Sequence, residues 1–190
     1  MKKRVLVRHL LPFILLFSLM IFFAIVVDYV LHLLNLLSIG RYLGYVGTAI
    51  ILISFIYSLR KRKLIESGSP KQLLLLHEYL AWIGTVVLLV HAGIHFNALL
   101  PWLATFMLLI SVASGLVGKY LLKEANELLK SNKQHLLNKG ISSDDADKKL
   151  FFDSVAVDAM KKWRLVHLPI TFLVAGLSFV HILTVLLFQK

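Results

Sequence analysis

Five long apolar runs alternate with short polar or basic stretches along this chain, at about 10–34, 42–59, 73–96, 101–122 and 166–188. Each is close to the roughly 20 residues that a helix needs to cross a bilayer. The pattern predicts five transmembrane helices. The first run follows "MKKRVLVRH", which has the basic start of a signal peptide. Its apolar part is too long for a cleaved segment and no small-residue cleavage site follows, so a retained helix is expected.

The stretch between the fourth and fifth runs, about 123–162, is polar. Its first half extends the fourth helix, and Gly140 suits the position after a helix end. Ser142 or Ser143 then caps a second helix with acids in its first turn. Leu150, Phe151, Val155, Val157 and Met160 give that helix an apolar face. The expected fold is an all-α integral membrane bundle, one domain over 1–190, with a helical hairpin between helices 4 and 5.

Composition supports this class. The 190 residues are 58% hydrophobic, more than a soluble domain of this size can bury. Cysteine is absent, which excludes disulfides, thiolate metal sites and covalent c-type haem attachment within the chain. The net charge of +11 is distributed by topology. Of the 21 Lys and Arg, only Arg41 and Lys190 fall on the side opposite the rest. The positive-inside rule therefore puts the N-terminus and the hairpin in the cytoplasm and the C-terminus outside. No nucleic-acid partner is expected. The expected location is a bacterial or archaeal cytoplasmic membrane.

The chemistry lies in histidine spacing. His77 and His91 are fourteen residues apart on helix 3, and His167 and His181 are fourteen apart on helix 5. Fourteen residues turn a helix to within about 40° of four full turns and rise about 21 Å. Both members of each motif share a face, and the two helices run in the same direction. His77 matches His167 in depth, and His91 matches His181. Facing pairs of imidazoles at two depths suit two six-coordinate b-type haems. Isolated packing histidines or a proton path are the alternative.

Other residues are placed around these pairs. Gly84 lies midway between His77 and His91, and Gly176 between His167 and His181, where a flat macrocycle needs bare backbone. Ser111, Gly115 and Gly118 form a small-residue stripe on helix 4, which plain helix packing also explains. Arg164, one turn before His167, is the leading candidate for a haem propionate, ahead of Lys71, Lys161, Lys162 and Trp163. Arg41, Asn97 and Trp102 are the outer candidates. His95 is one turn beyond His91 and is a candidate for the quinone or proton site, for a haem propionate or for the outer boundary, with a ligand role in place of His91 as an alternative. Asp28 with His32 forms a candidate quinone or proton site, or else a structural bond to Arg41 or another helix. Glu78 adjoins His77 near the inner boundary and is expected to bond a neighbour, serve a proton path or reach water.

With its two His-x13-His motifs, the chain resembles the transmembrane cytochrome of the ferric reductase and NADPH oxidase superfamily. That resemblance implies that His77, His91, His167 and His181 are axial haem ligands between the third and fifth helices. The family carries a sixth helix and a flavin- and nicotinamide-binding module, and this sequence shows no G-x-G-x-x-G fingerprint. The expectation is an electron-transfer subunit of an oxidoreductase, with two haem b groups and separate donor and acceptor proteins in a hetero-oligomeric complex. The alternatives are a quinone-reactive membrane anchor and, in another class, a His-dependent proton or metal transporter.

Overall fold

Among the residues described, every regular element is helical. The computed structural model describes the backbone of residues 2–94 and 98–188, with side chains except at 2–10, 94, 123–124 and 164. The elements are α1 (Lys2–Leu33), α2 (Leu37–Ser54), α3 (Ile56–Lys61), α4 (Pro70–Ile94), α5 (Leu99–Leu116), α6 (Leu122–Asn138), α7 (Ser143–Lys149) and α8 (Phe151–Phe188). A π-helical turn, Val117–Leu121, joins α5 to α6.

Among the described residues, five helical stretches are long and apolar enough to cross a membrane: Leu11–Leu33, Leu37–Lys61, Pro70–Gly93, Leu99–Asn138 and Phe151–Phe188. Their outward faces carry large apolar side chains such as Phe22, Phe179 and Leu187 with most of their surface uncovered. Lipid tails solvate such side chains as well as protein does, so this exposure costs nothing in a bilayer. Intrahelical hydrogen bonds meanwhile satisfy the backbone, as hydrocarbon requires.

Several boundaries differ from the sequence expectation. The second span breaks at Phe55, where α2 gives way to the short α3. The fifth helix begins at Phe151, because the second helix of the polar stretch is continuous with span 5. At about 1.5 Å per residue it is about 57 Å long, well beyond a hydrocarbon core of about 30 Å. The polar stretch holds the expected caps. Gly140 has φ +78°, which a residue with a side chain rarely adopts. Ser142 Oγ accepts the Asp145 N–H at 3.2 Å. The apolar face is corrected, however. Leu150 and Val157 are buried, whereas Phe151 and Val155 point outward. These residues do not form one stripe, because Leu150 lies in the break between α7 and α8.

The packing divides the bundle into two halves. In the first, α1, α2 and α3 pack on α4. Met20 and Ala24 of α1 meet Val86 and Val90 of α4 in its core. Gly47 lets α2 approach closely, since a Cβ there would stand 2.8 Å from the Leu88 side chain. In the second half α5 packs on α8, and α6 returns through α7 to α8. Helix α4 touches α5, but among the described residues α4 and α8 have little direct backbone contact. A gap between these two helices is therefore bridged by side chains.

Candidate metal centre

The histidines occupy that gap. His91 of α4 and His181 of α8 face each other with ring centroids 6.3 Å apart and planes inclined by 50°. A cavity of about 130 Å³ lies beside them between α2, α4, α5 and α8. Arg41, Tyr45, Thr48, Thr105 and Ser178 supply most of its polar lining. At the other level His77 of α4 lies within electrostatic reach of His167 of α8. The structure thus brings His91 and His181 face to face, with His77 and His167 at the other level of the same two helices.

Three of the four rings are held by their Nδ1 atoms. His77 Nδ1 lies 3.0 Å from the Ser54 carbonyl oxygen, and His91 Nδ1 lies 2.7 Å from that of Gly40. A carbonyl only accepts, so Nδ1 is the protonated donor in both rings. The third case needs one more step. Ser114 Oγ donates to Ser111 O at 2.6 Å, so its lone pairs face His167 Nδ1 at 2.6 Å. His167 Nδ1 is also 3.1 Å from Ser111 O. This ring too donates through Nδ1. In its neutral form each of these imidazoles keeps its lone pair on Nε2, the tautomer that binds a metal.

Local sequence builds these contacts. Ser54 ends α2, where the break at Phe55 leaves its carbonyl free to take His77. Gly40 and Gly44 are one turn apart on α2 and form a bare strip for His91. A Cβ on Gly44 would stand 2.8 Å from both Cε1 and Nε2 of that ring. On α8, Pro169 lacks an N–H and interrupts the helical ladder just after His167. Thr171 Oγ1 donates to the His167 carbonyl at 2.7 Å and accepts from Ser111 Oγ at 3.2 Å. Ser111, Ser114, His167 and Thr171 thus form one polar seam between α5 and α8.

The glycines divide. Gly176 has open space where a Cβ would project, and at Gly115 a Cβ would meet only His167 Cε1, at 3.7 Å. Gly84 is different from expectation. Its missing Cβ makes room for Ile50 and Ile51 of α2, the nearest atom at 2.9 Å, so it serves helix packing on the side facing α2.

The charged surroundings also shift. At the level of His77 the cations come from the end of α3. Tyr57 stacks on His77 at 5.6 Å, and Lys61 Nζ lies 6.0 Å from the Tyr57 ring centroid. Lys61 is also in electrostatic reach of His167, and the Arg62 guanidinium is 6.0 Å from the Phe172 ring. Sequence reading missed Lys61 and Arg62 because the basic loop is explained by topology alone. The Arg164 side chain, His95 and Asn97 lie outside the described residues. Arg41 lines the cavity with His91 and His181. Asp28 does not bond Arg41, one of the alternatives open to it. Its Oδ1 is buried against Gly93 with no hydrogen-bond partner. His32 Nδ1 donates to the Asp28 backbone carbonyl at 2.9 Å. Glu78 accepts a hydrogen bond from Lys119 at 2.6 Å.

Among the described residues no group of three or more His, Cys, Asp or Glu could hold a metal ion. Two imidazoles on opposite sides are too few ligands for a bare ion but sufficient for one already held in a macrocycle. No family model, curated protein or solved structure matches this chain. The chain is therefore defined by its own geometry, as an integral membrane bundle with facing histidines.

Proposed function

We propose that this protein is a b-type membrane cytochrome that passes electrons across the bilayer, with His77 and His167 holding one haem and His91 and His181 a second. The separation of His91 and His181 carries this reading. Two imidazoles bound on opposite sides of one metal at about 2.0–2.1 Å would have centroids about 6.2–6.4 Å apart, since a ring with bonds of about 1.33 Å has its atoms about 1.1 Å from its centre. The observed 6.3 Å lies in that range. The Nδ1 contacts add support, because they leave Nε2 as the ligand atom in three rings.

When bound, the haem irons supply one-electron redox chemistry. The chain's own residues fix the tautomers, hold the rings apart and surround them with an apolar wall. Along α4 the two levels are separated by about 21 Å, so one lies toward each face of the membrane. By the positive-inside rule the His77–His167 level, with the polar segment 122–162, is on the cytoplasmic side. Donor and acceptor are then separate redox proteins, and the chain is a subunit of a larger oxidoreductase in a prokaryotic cytoplasmic membrane.

A reduced-minus-oxidised spectrum of the purified protein, with haem counted by pyridine haemochrome, tests this. Two b-type haems per chain are expected, and one should be lost on replacing His181 and the other on replacing His167. Well-folded protein without haem would end this reading. A quinone-reactive role draws on Asp28, whose Oδ1 is buried against Gly93, two residues past His91. Reduction of the haems by a soluble quinol analogue, abolished in Asp28→Leu, is the result that reading requires.

A further inference from the structure

The two halves of the bundle each contribute one ligand to each level. At the level of His77 and His167, their separation depends on how the halves are set against each other. His77 is fastened to α2 through Ser54, and His167 to α5 through Ser114 and Ser111. Neither contact joins one half to the other. Glu78 does, because it is adjacent to His77 on α4 and its Oε2 lies 2.6 Å from Lys119 Nζ. This ion pair links the two halves, whereas Asp28–His32, Lys133–Asp147, Asp145–Lys148 and Asp158–Lys161 lie within α1, within α8 or in the segment from α6 to α7.

Lys119 occupies the π-helical turn that follows α5. A π turn holds one residue more than the α turn it replaces, so it redirects the side chains of that stretch, and such turns are frequent at functional sites. A lysine near a membrane boundary ordinarily extends to water. Lys119 instead turns toward α4, with its side chain 40% exposed and that of Glu78 27% exposed.

We propose that the Glu78–Lys119 ion pair is a positioning contact that fixes the spacing and relative orientation of His77 and His167. This rests on the haem reading for its spectroscopic test. A carboxylate acting on the iron by its charge alone would behave differently, since removing Glu78 and removing Lys119 would then move the potential in opposite directions.

The experiment compares Glu78→Gln, Lys119→Met, both together, and the exchange Glu78→Lys with Lys119→Glu, in the full-length holoprotein. The readouts are haem content, affinity for this haem and the low-temperature electron paramagnetic resonance signal of its ferric form, which reports the angle between the axial rings. Each single variant should weaken binding about 2- to 5-fold, as expected for a partly exposed pair. Both should alter the resonance signal, the double variant should be no worse than either single one, and the exchange should restore the wild-type signal. Unchanged singles, opposite potential shifts without a signal change, or an exchange that folds and binds haem but restores nothing would overturn the proposal. Complete loss of this haem in the singles counts for it only if the exchange restores it, and against it otherwise. If wild type holds no haem, the function proposed above fails. The positioning claim is then judged on spin labels at the ends of α4 and α8 nearest His77 and His167. Distances broadened in the singles and restored by the exchange would uphold it, and any other pattern would refute it.

Discussion

Ser114 of α5 and His167 of α8 meet through a 2.6 Å contact between Oγ and Nδ1. Because Ser114 spends its own proton on the Ser111 carbonyl, the contact fixes which nitrogen of His167 is protonated. A hydroxyl on one helix thereby decides the chemistry offered by another.

Ser114→Ala should leave the bundle folded and His167 with only the longer contact to Ser111 O, 3.1 Å. Loss of an outer-shell partner typically costs 10- to 100-fold in metal affinity. Haem at the His77–His167 level is expected to bind more weakly by about that factor, and the other haem to be unaffected. Haem titration of the apoprotein with the His181→Ala background measures it directly.

Gly44→Ala should act at the other level. Its Cβ would fall 2.8 Å from Cε1 and Nε2 of His91, too close without displacing the ring. The expected preparation holds about one haem per chain in place of two, with the His77–His167 haem retained. Equal loss of both haems would mean that the substitution disrupts α2 as a whole.

Gly176→Leu probes the open space beside α8. Nothing lies within 4 Å of a Cβ there, so the apoprotein should tolerate the change with a stability shift within about 0.5 kcal/mol. Haem content should fall if that space receives a planar group. Unchanged haem content would show that the space is simply lipid-facing.

Leu150→Ala and Phe152→Ala separate core from surface in the polar return. Leu150 is 4% exposed and Phe152 84%. Truncating the buried residue should cost about 2–5 kcal/mol and loosen α6 and α7 from α8. The exposed one should cost less than about 0.5 kcal/mol. Limited proteolysis of the 138–150 region distinguishes them, with rapid cleavage expected only for Leu150→Ala.

Haem should also cement the two halves of the bundle, since α4 and α8 have little direct backbone contact. A ligand that binds only the folded state stabilises it by mass action, by about 2.7 kcal/mol at 100 times its Kd. The holoprotein is therefore expected to show slower hydrogen exchange than the apoprotein in α8 around His181, and little difference at the α1–α4 core of Met20 and Val90.

Much of this architecture was legible in the sequence. Apolar run length determined the five spans, because hydrocarbon solvates no unpaired backbone and a helix must be long enough to cross it. Charge asymmetry gives an expected orientation, and a spacing of fourteen gives expected shared faces, of which the facing of His91 and His181 is seen in the structure. Caps at Ser142 and Gly140 were readable because capping is a local interaction. Tertiary structure alone decided the rest, since it concerns which helix stands opposite which. Gly84 packs on α2 and not beside the gap because α4 turns that side to Ile50 and Ile51. The carbonyls of Gly40 and Ser54 carry no side-chain signature, yet they hold His91 and His77. Lys119 reads as one more basic residue until a π turn brings it to Glu78. A periodicity places residues on a face, but only packing between helices supplies the partner across from it.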